Sequence, residues 1–299
     1  MKTVFTLPSG EKLTKDKFLK YFERKVRKTT RTNKMIEKGD KILVACSGGK
    51  DSTVALYLLS KIVKEARAEV EAFFIDVEIG EYSKINQKNI RKFCKDNDIK
   101  LHETSFKKEF GYGVCYIRDS LREKDIKWKS CTICGIMKRY ILNKYAKTLK
   151  ATKLATGHNL DDEAQSIIMN MFKNSAKVLP RLGPVTGIKA QKGFIPRIKP
   201  LYFCTEEESK LFSNLLNFPV LYDECPCRVD AYRRQVGIML DDFDKHHSGT
   251  KNGIVNSFLE ILPSLKSKYK GEVKVCKKCG EPSANDVCNT CNLLSKIIG

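Results

Sequence analysis

The chain has 299 residues, 41% of them hydrophobic, and a formal net charge of +21. Its apolar runs are too short to span a bilayer and no secretory signal is visible at its start, so a cytoplasmic protein without a membrane partner is expected. The charge points to a polyanion, nucleic acid first, and twelve cysteines in a reducing compartment point to metal or thiol chemistry rather than disulfides.

Residues 1–40 read as a basic N-terminal extension, with a hairpin-like start at Val4 and Phe5 and a helix from about Lys15 to Thr29. Phe18, Phe22 and Val26 recur every four residues and form its apolar face. Lys17, Lys20, Arg24, Lys25, Arg27, Lys28 and Arg31 occupy the rest, suited to phosphates or to solvent alike. Residues 41–270 alternate strand and helix. Strands are expected at Ile42–Cys46, Val70–Asp76, Lys100–Thr104 and Lys153–Thr156. Helices are expected at Asp51–Arg67, with Val54, Leu58, Leu59 and Val63 inward, and at Ser83–Lys95, with Ile85, Ile90 and Phe93 inward. Further helices start near Asp161 and Thr205, and a last one covers Ile254–Lys268. Strands spaced by helices predict parallel βαβ units, hence an α/β doubly wound parallel sheet whose ligands bind at the carboxyl ends of the strands. Ser47–Ser52, the strand end near Asp76 and Gly157–Asp162 then share one edge. The basic, loop-rich stretch 175–203, with Pro180-Arg181 and Pro196-Arg197-Ile198-Lys199-Pro200, reads as a substrate wall or a linker, as do Arg228, Arg233 and Arg234.

Five stretches carry chemistry. KILVACSGGKDS, Lys41–Ser52, is a buried strand, a glycine turn and a helix start, a geometry for holding an anion. Gly48 and Gly49 let the backbone approach a phosphate, Ser47 and Ser52 add hydroxyl donors, and Lys50 adds charge. The pattern is neither GxxxxGK[ST] nor GxGxxG. In Gly157-His158-Asn159-Leu160-Asp161-Asp162-Glu163, acids at a helix start can cap it, hold Mg²⁺ or take a proton. Cys131 and Cys134 form a CxxC at a helix N-terminus, alone compatible with a redox pair, half a zinc site or part of an iron–sulfur cluster. Roughly ninety residues on, Asp223-Glu224-Cys225-Pro226-Cys227 offers a third thiolate, which suits a cubane held by three cysteines with one iron open. Cys276, Cys279, Cys288 and Cys291, two CxxC knuckles in residues 271–299, form a structural zinc ribbon for scaffolding or RNA docking. Cys46, Cys94, Cys115 and Cys204 are expected as buried small hydrophobes, His102, His246 and His247 as surface or core residues, and Trp128 as packing.

SGGKDS resembles the PP-loop of the ATP pyrophosphatases, enzymes that cleave ATP between its α- and β-phosphates and adenylate a substrate oxygen. With CTIC-GIMKRY, GHNLDDEAQ, DECPC and CKKCG…CNTC, it resembles the tRNA 2-thiouridine synthetases from about Lys38 to the C-terminus. The resemblance implies an ATP-dependent tRNA sulfurtransferase that adenylates the C2 oxygen of a uridine, at the anticodon wobble or T-loop position, and replaces it with sulfur. It implies ATP with Mg²⁺ bound by Ala45, Ser47, Gly48, Gly49, Lys50, Asp51, Ser52, Ile75, Lys138 and Gly157. It also implies a [4Fe–4S] cluster on Cys131, Cys134 and Cys225, whose open iron holds the sulfur, with Lys138 and Asp162 assisting adenylation or proton transfer. Its partners are then tRNA and a sulfur donor, either sulfide or a thiocarboxylated ubiquitin-like carrier protein, and a homodimer is common in the family. Two departures stand out. Residues 1–40 lack the cysteines and histidines of the family's usual N-terminal zinc finger, and CPC replaces a single cysteine, so Cys227 competes with Cys225. The alternatives are a tRNA cytidine 2-thiolase, another PP-loop RNA-modifying ligase, and a non-catalytic zinc-containing RNA-binding protein.

Overall fold

The computed structural model describes residues 2–186, 194–228, 231–269 and 274–298. The chain opens with a hairpin of β1 (Thr3–Thr6) and β2 (Lys12–Thr14), followed by α1 (Lys15–Thr32). The central sheet is built from β3 (Lys41–Cys46), β4 (Glu69–Asp76), β5 (Leu101–Ser105), β6 (Lys153–Thr156), β7 (Val185–Thr186) and β8 (Arg197–Ile198). Its order is β5-β4-β3-β6-β8-β7, parallel throughout except for the edge strand β7. The chain runs outward from β3 to β5, then returns to the other side of β3 with β6. That reversal makes the gap between the carboxyl ends of β3 and β6 the topological switch point, where such sheets bind ligands.

Helices cover both faces, so β3 is apolar at successive positions rather than alternating. Ile42, Val44 and Cys46 face Leu56, Leu59 and Phe93 from α2 (Lys50–Ala66) and α3 (Gly80–Asp96). Leu43 faces the other way, with Phe73, Met137 and Ile141, under α5 (Val114–Glu123) and α6 (Ser130–Thr148). The short α4 (Phe106–Phe110) precedes α5. A third layer is formed by α7 (Leu160–Phe172), α9 (Tyr232–His246) and α10 (Thr250–Lys268), around Leu160, Val236, Phe258 and Leu262.

The N-terminal helix is part of this packing. Phe18, Phe22 and Val26 are fully buried against Val54, Leu58 and Phe212, the last from α8 (Glu206–Leu215). On its basic side Lys25 pairs with Glu208 at 2.8 Å, and Arg27 pairs with Glu23 and Glu65, while Lys17, Lys20, Arg24, Lys28 and Arg31 stay exposed. The tail forms β9 (Lys274–Val275), β10 (Pro282–Ser283) and α11 (Asn289–Ile298), and buries Leu293 in the core beneath α5 and α6. The expected boundary between residues 270 and 271 lies outside the described residues.

Two expectations are corrected. Ile85 is 42% exposed, because α3 turns Ser83, Asn86, Ile90 and Phe93 inward and seats Asn86 against the glycine turn instead. Cys115 is only half-buried, because α5 packs through Val114, Ile117 and Leu121, leaving Cys115 beside Cys227. Among the described residues no helix is long and apolar enough to cross a membrane.

Candidate active site

At the switch point the chain turns from β3 into α2 through Ser47, Gly48 and Gly49. Gly48 has φ +81°, and a Cβ there would lie 2.6 Å from the Asn86 carbonyl oxygen, so only glycine fits this turn. The turn is held from within. The Ser47 N–H donates to Ser52 Oγ at 3.1 Å, Ser52 Oγ donates to the Gly49 carbonyl at 3.0 Å, and the Gly49 N–H reaches Ser47 Oγ at 3.4 Å. Gly49, the N-cap of α2, also forms a lone parallel bridge with Leu221. The first amides of a 17-residue helix therefore open toward the crevice, a place for phosphate oxygens. Lys50 sits beside them, tied to Asp51 at 3.0 Å and Glu206 at 2.7 Å. Burial raises the Asp51 carboxyl above its usual range, against the pull of Lys50.

Gly157, at the end of β6, presses on this helix start: a Cβ there would meet the Ser52 amide nitrogen at 2.6 Å. The next residues begin α7 with a full capping box, Asn159 Oδ1 accepting from the Asp162 N–H at 3.0 Å while Asp162 reaches back to the Asn159 N–H. Asn159 Nδ2 also donates to Asp51 at 3.2 Å, joining the two strand ends. The two acids differ. Asp161 accepts from the Glu206 N–H at 2.7 Å and from Lys251 at 2.5 Å, and is wholly structural. Asp162 faces the crevice beside His158 and Arg233, whose guanidinium donates to it at 3.0 Å and to Ser166 at 2.9 Å. Burial opposes its ionisation, but His158, Arg233 and the Asn159 N–H outweigh that and hold the carboxyl below its usual range. His158 is solvent-accessible yet deep in the crevice. Loss of bulk water pushes it down, against the attraction of Asp162, so it is neutral at pH 7 and bonds to Thr156 Oγ1 at 2.8 Å.

The third wall is the start of α6. Cys131 and Cys134 lie one turn apart there, and Cys225 approaches Cys131 and Lys138 from the segment before a short 3₁₀ turn, Pro226–Arg228. Lys138, one turn beyond Cys134, hydrogen-bonds its thiol, and its ammonium is stabilised by Cys134 first and then by Cys225 and Tyr82. Cys227 turns the other way. Its backbone carbonyl accepts from Cys131 Sγ at 3.5 Å, while its thiol lies against Cys115. Ala45 and Ile75 end β3 and β4 on the face that α6 covers, so both approach the same crevice.

The tail holds a second thiol site. The sulfurs of Cys276, Cys279, Cys288 and Cys291 all lie within 4.8 Å of one another, the only such group among the described residues. Cys279 and Cys288 are 3.7 Å apart, close to the about 3.8 Å that four sulfurs 2.3 Å from a tetrahedral zinc require. The Cys288 N–H donates to Cys276 Sγ at 3.2 Å, and the Cys291 N–H to Cys288 Sγ at 3.3 Å, which steadies the thiolates a divalent ion needs. This unit rests on the back of α6, where Glu281 takes Asn143 and Lys147 and where Lys296 lies 5.2 Å above the Trp128 ring.

A family model for the PP-loop domain matches residues 19–225, from within α1 to Cys225. The tRNA-5-methyluridine(54) 2-sulfurtransferase of Pyrococcus horikoshii is 34% identical over 283 residues, covering 93% of this chain and 86% of that protein. The chain belongs to the PP-loop tRNA 2-thiolation sulfurtransferases. Another member, the tRNA 2-thiolation protein NcsA of Haloferax volcanii, is 32% identical, covering 97% of this chain and 94% of that one. Among solved structures, the U34-tRNA thiolase NcsA from Methanococcus maripaludis with its [4Fe-4S] cluster matches with a TM-score of 0.83 and 30% identity, over 99% of this chain and 94% of that one. In this sulfurtransferase the crevice brings Ser47–Ser52, Gly157, Asp162, Lys138 and the thiols of Cys131, Cys134 and Cys225 together. The terminal four cysteines stand apart, behind α6. Sequence reasoning named Arg233 only within a substrate wall or linker and gave His158 no role of its own; long-range packing, not a motif, brings both to Asp162.

Proposed function

We propose that the chain 2-thiolates a tRNA uridine, the PP-loop amides receiving the phosphates of ATP and the thiols of Cys131, Cys134 and Cys225 receiving a [4Fe–4S] cluster. The observation that carries this is the convergence of those thiols, with Lys138, on the crevice that the PP-loop opens. They fit a cluster and not a single ion. They are too spread to count with the tight terminal set, and a cubane needs its ligands further apart. Cys225 is the third ligand, supported by its approach to Cys131 and Lys138, whereas the Cys227 thiol, though near Cys225, hydrogen-bonds Cys115.

The Ser47–Ser52 turn and the α2 N-terminus hold the β- and γ-phosphates, with Lys50 exchanging its carboxylate partners for them, and Asp51 and Asp162 flank the Mg²⁺. The adenosine lies toward Ala45 and Ile75. The uridine C2 oxygen attacks the α-phosphorus and pyrophosphate leaves. Lys138 neutralises charge on the α-phosphoryl oxygens, and Asp162, ionised and held by Arg233, takes the proton. Sulfur then attacks C2 and AMP leaves. When bound, the cluster supplies an iron with an open coordination position for that sulfur. The sulfur comes from sulfide or a thiocarboxylated carrier protein, and zinc fills the terminal ribbon. The protein works in the cytoplasm, and it forms a homodimer through apolar residues left exposed on α9 and α10, Ile238, Met239, Phe243 and Ile261. Exposed Lys17, Lys20, Arg24, Lys28 and Arg31 on α1 add contacts to the tRNA backbone.

Nucleoside mass spectrometry with positional mapping, on tRNA from a strain lacking the gene, tests the reaction. Loss of a 2-thiolated uridine is expected, and its place distinguishes anticodon from T-loop. Loss of 2-thiocytidine instead would transfer the assignment to the cytidine, and unchanged thiolation would remove the sulfurtransferase activity.

A further inference from the structure

Three acids open α8, and each is used differently. Glu208 closes the capping box, taking the Thr205 N–H at 2.8 Å while its own N–H donates to Thr205 Oγ1 at 3.1 Å. Glu207 lines a separate groove beside β1 and makes no ion pair among the described residues. Glu206 serves neither purpose. Its carboxylate leaves the helix and accepts from Lys50 Nζ at 2.7 Å, from a residue 156 positions away in the chain. The backbone beneath it is pinned. The Glu206 N–H donates to Asp161 Oδ2 at 2.7 Å, and Lys251 donates to Asp161 and to Asp241, each at 2.5 Å. α8 also packs on α2, through Phe212 against Val54 and Leu58. The base of the Glu206 side chain is therefore fixed relative to the PP-loop, and only its rotamer is free to change. The two partners differ in exposure: the Lys50 side chain is 15% exposed and that of Glu206 50%. Glu206 can turn into water, whereas the ammonium of Lys50 needs an anion where it lies.

We propose that Glu206 is a positioning residue for Lys50 that competes with the β- and γ-phosphates of ATP, and with pyrophosphate, but not with AMP. This inference rests on the nucleotide reading given above. Before ATP binds, Glu206 and Asp51 hold the ammonium beside the turn. Phosphate oxygens displace Glu206, because Asp51 is also tied to Asn159, at 3.2 Å. When pyrophosphate leaves after adenylation, the ammonium returns to Glu206, which lowers the affinity for the released product and opposes the back reaction. The AMP phosphate lies toward Lys138 and leaves the pair untouched. A partly exposed ion pair of this kind shifts an equilibrium by up to about fivefold.

The test uses the full chain, loaded with iron and zinc under anaerobic conditions, and titrates it separately with ATP, pyrophosphate and AMP, all with Mg²⁺. Glu206→Gln is expected to bind ATP and pyrophosphate each about fivefold more tightly, to release pyrophosphate correspondingly more slowly, and to bind AMP as the wild type does. The gain should shrink as salt rises, because salt screens the wild-type pair. Glu207→Gln removes the same charge one residue away and should change none of these affinities. The capping box survives in both variants, which gives them a common folding baseline. Unchanged ATP and pyrophosphate affinity in Glu206→Gln overturns the competition. Weaker binding overturns it by assigning Glu206 to the Mg²⁺ of the bound nucleotide. An equal gain for AMP, or an equal gain in Glu207→Gln, overturns it by reducing the effect to overall charge. Wild-type protein that binds neither ATP nor pyrophosphate overturns the nucleotide reading and the competition with it.

Discussion

The terminal ribbon draws four thiols from sixteen residues of chain, whereas the crevice draws three from two segments roughly ninety residues apart. In the ribbon, backbone N–H groups of the knuckles already point at sulfur, and the four sulfurs stand close enough for one ion. In the crevice, the third thiol arrives only because α6, the sheet and the segment before Pro226 are all in place. A site made from neighbouring residues lends its binding energy to folding. A site made from distant ones draws on folding that is already complete, and can keep a coordination position for chemistry. The same element type at two sites thus does opposite things.

The largest expected effect breaks the crevice site alone. Cys225→Ser should reduce thiolated tRNA by more than the about 100-fold that loss of a supporting contact around a metal costs, while zinc content, ATP affinity and Tm stay as they were. Cys227→Ser should retain most activity. If the two variants exchange these results by nucleoside mass spectrometry and metal analysis, Cys227 is the ligand. Breaking the ribbon should do the reverse. Cys276→Ser, or chelation, should release zinc, uncover Leu293 and lower Tm by roughly 3–5 °C, on the basis of about 2–3 kcal/mol for one large buried apolar side chain. Calorimetry showing no change would mean that the ribbon does not support α6.

Gly157→Ala tests the junction between the strand ends. The added methyl must displace the α2 backbone, so a loss of about 1–3 kcal/mol in urea unfolding is expected, with weaker ATP binding by calorimetry. The smallest effect concerns Glu109, which joins α4 to Lys144 and Tyr145 on α6 behind both sites. Burial raises its carboxyl, but Lys144, Tyr145 and Thr104 outweigh that and hold it below the ordinary value of 4.5. Its folded value is the lower one, so its contribution is fully present above the unfolded value and is lost as pH falls through the folded value. Glu109→Gln should therefore flatten the decline of unfolding free energy between neutral pH and about pH 3, and an unchanged acid limb would count against the link.

Most of the sheet could be read from the chain, because each inner strand is a run of apolar residues followed by a helical period, and the four expected strands agree with the observed ones to within a residue. The PP-loop was equally visible, since strand, glycines and helix start are contiguous. Most of the elements that escaped are short, although α9, a helix of 15 residues, was passed over as well. The two-residue strands β7 and β8 have no period to detect, and the helices over Phe106–Phe110 and Val114–Glu123 follow each other too closely to show one. Ile85 and Cys115 misled because a helix has one inward stripe, and its exact rotation is set by what it meets. The pairing of Asp162 with Arg233 could not be read at all. It depends on sheet register and on the third layer of helices, which no local spacing encodes.

The lone bridge between Gly49 and Leu221 has a mechanical consequence. Leu221 lies four residues before Cys225, so the strand-like stub that carries that thiol is clipped to the turn proposed to receive phosphate. Whatever stiffens the turn also shortens the free length of chain leading to the sulfur. On the function proposed above, filling the phosphate site and fixing the third thiol are then coupled through a single pair of backbone contacts.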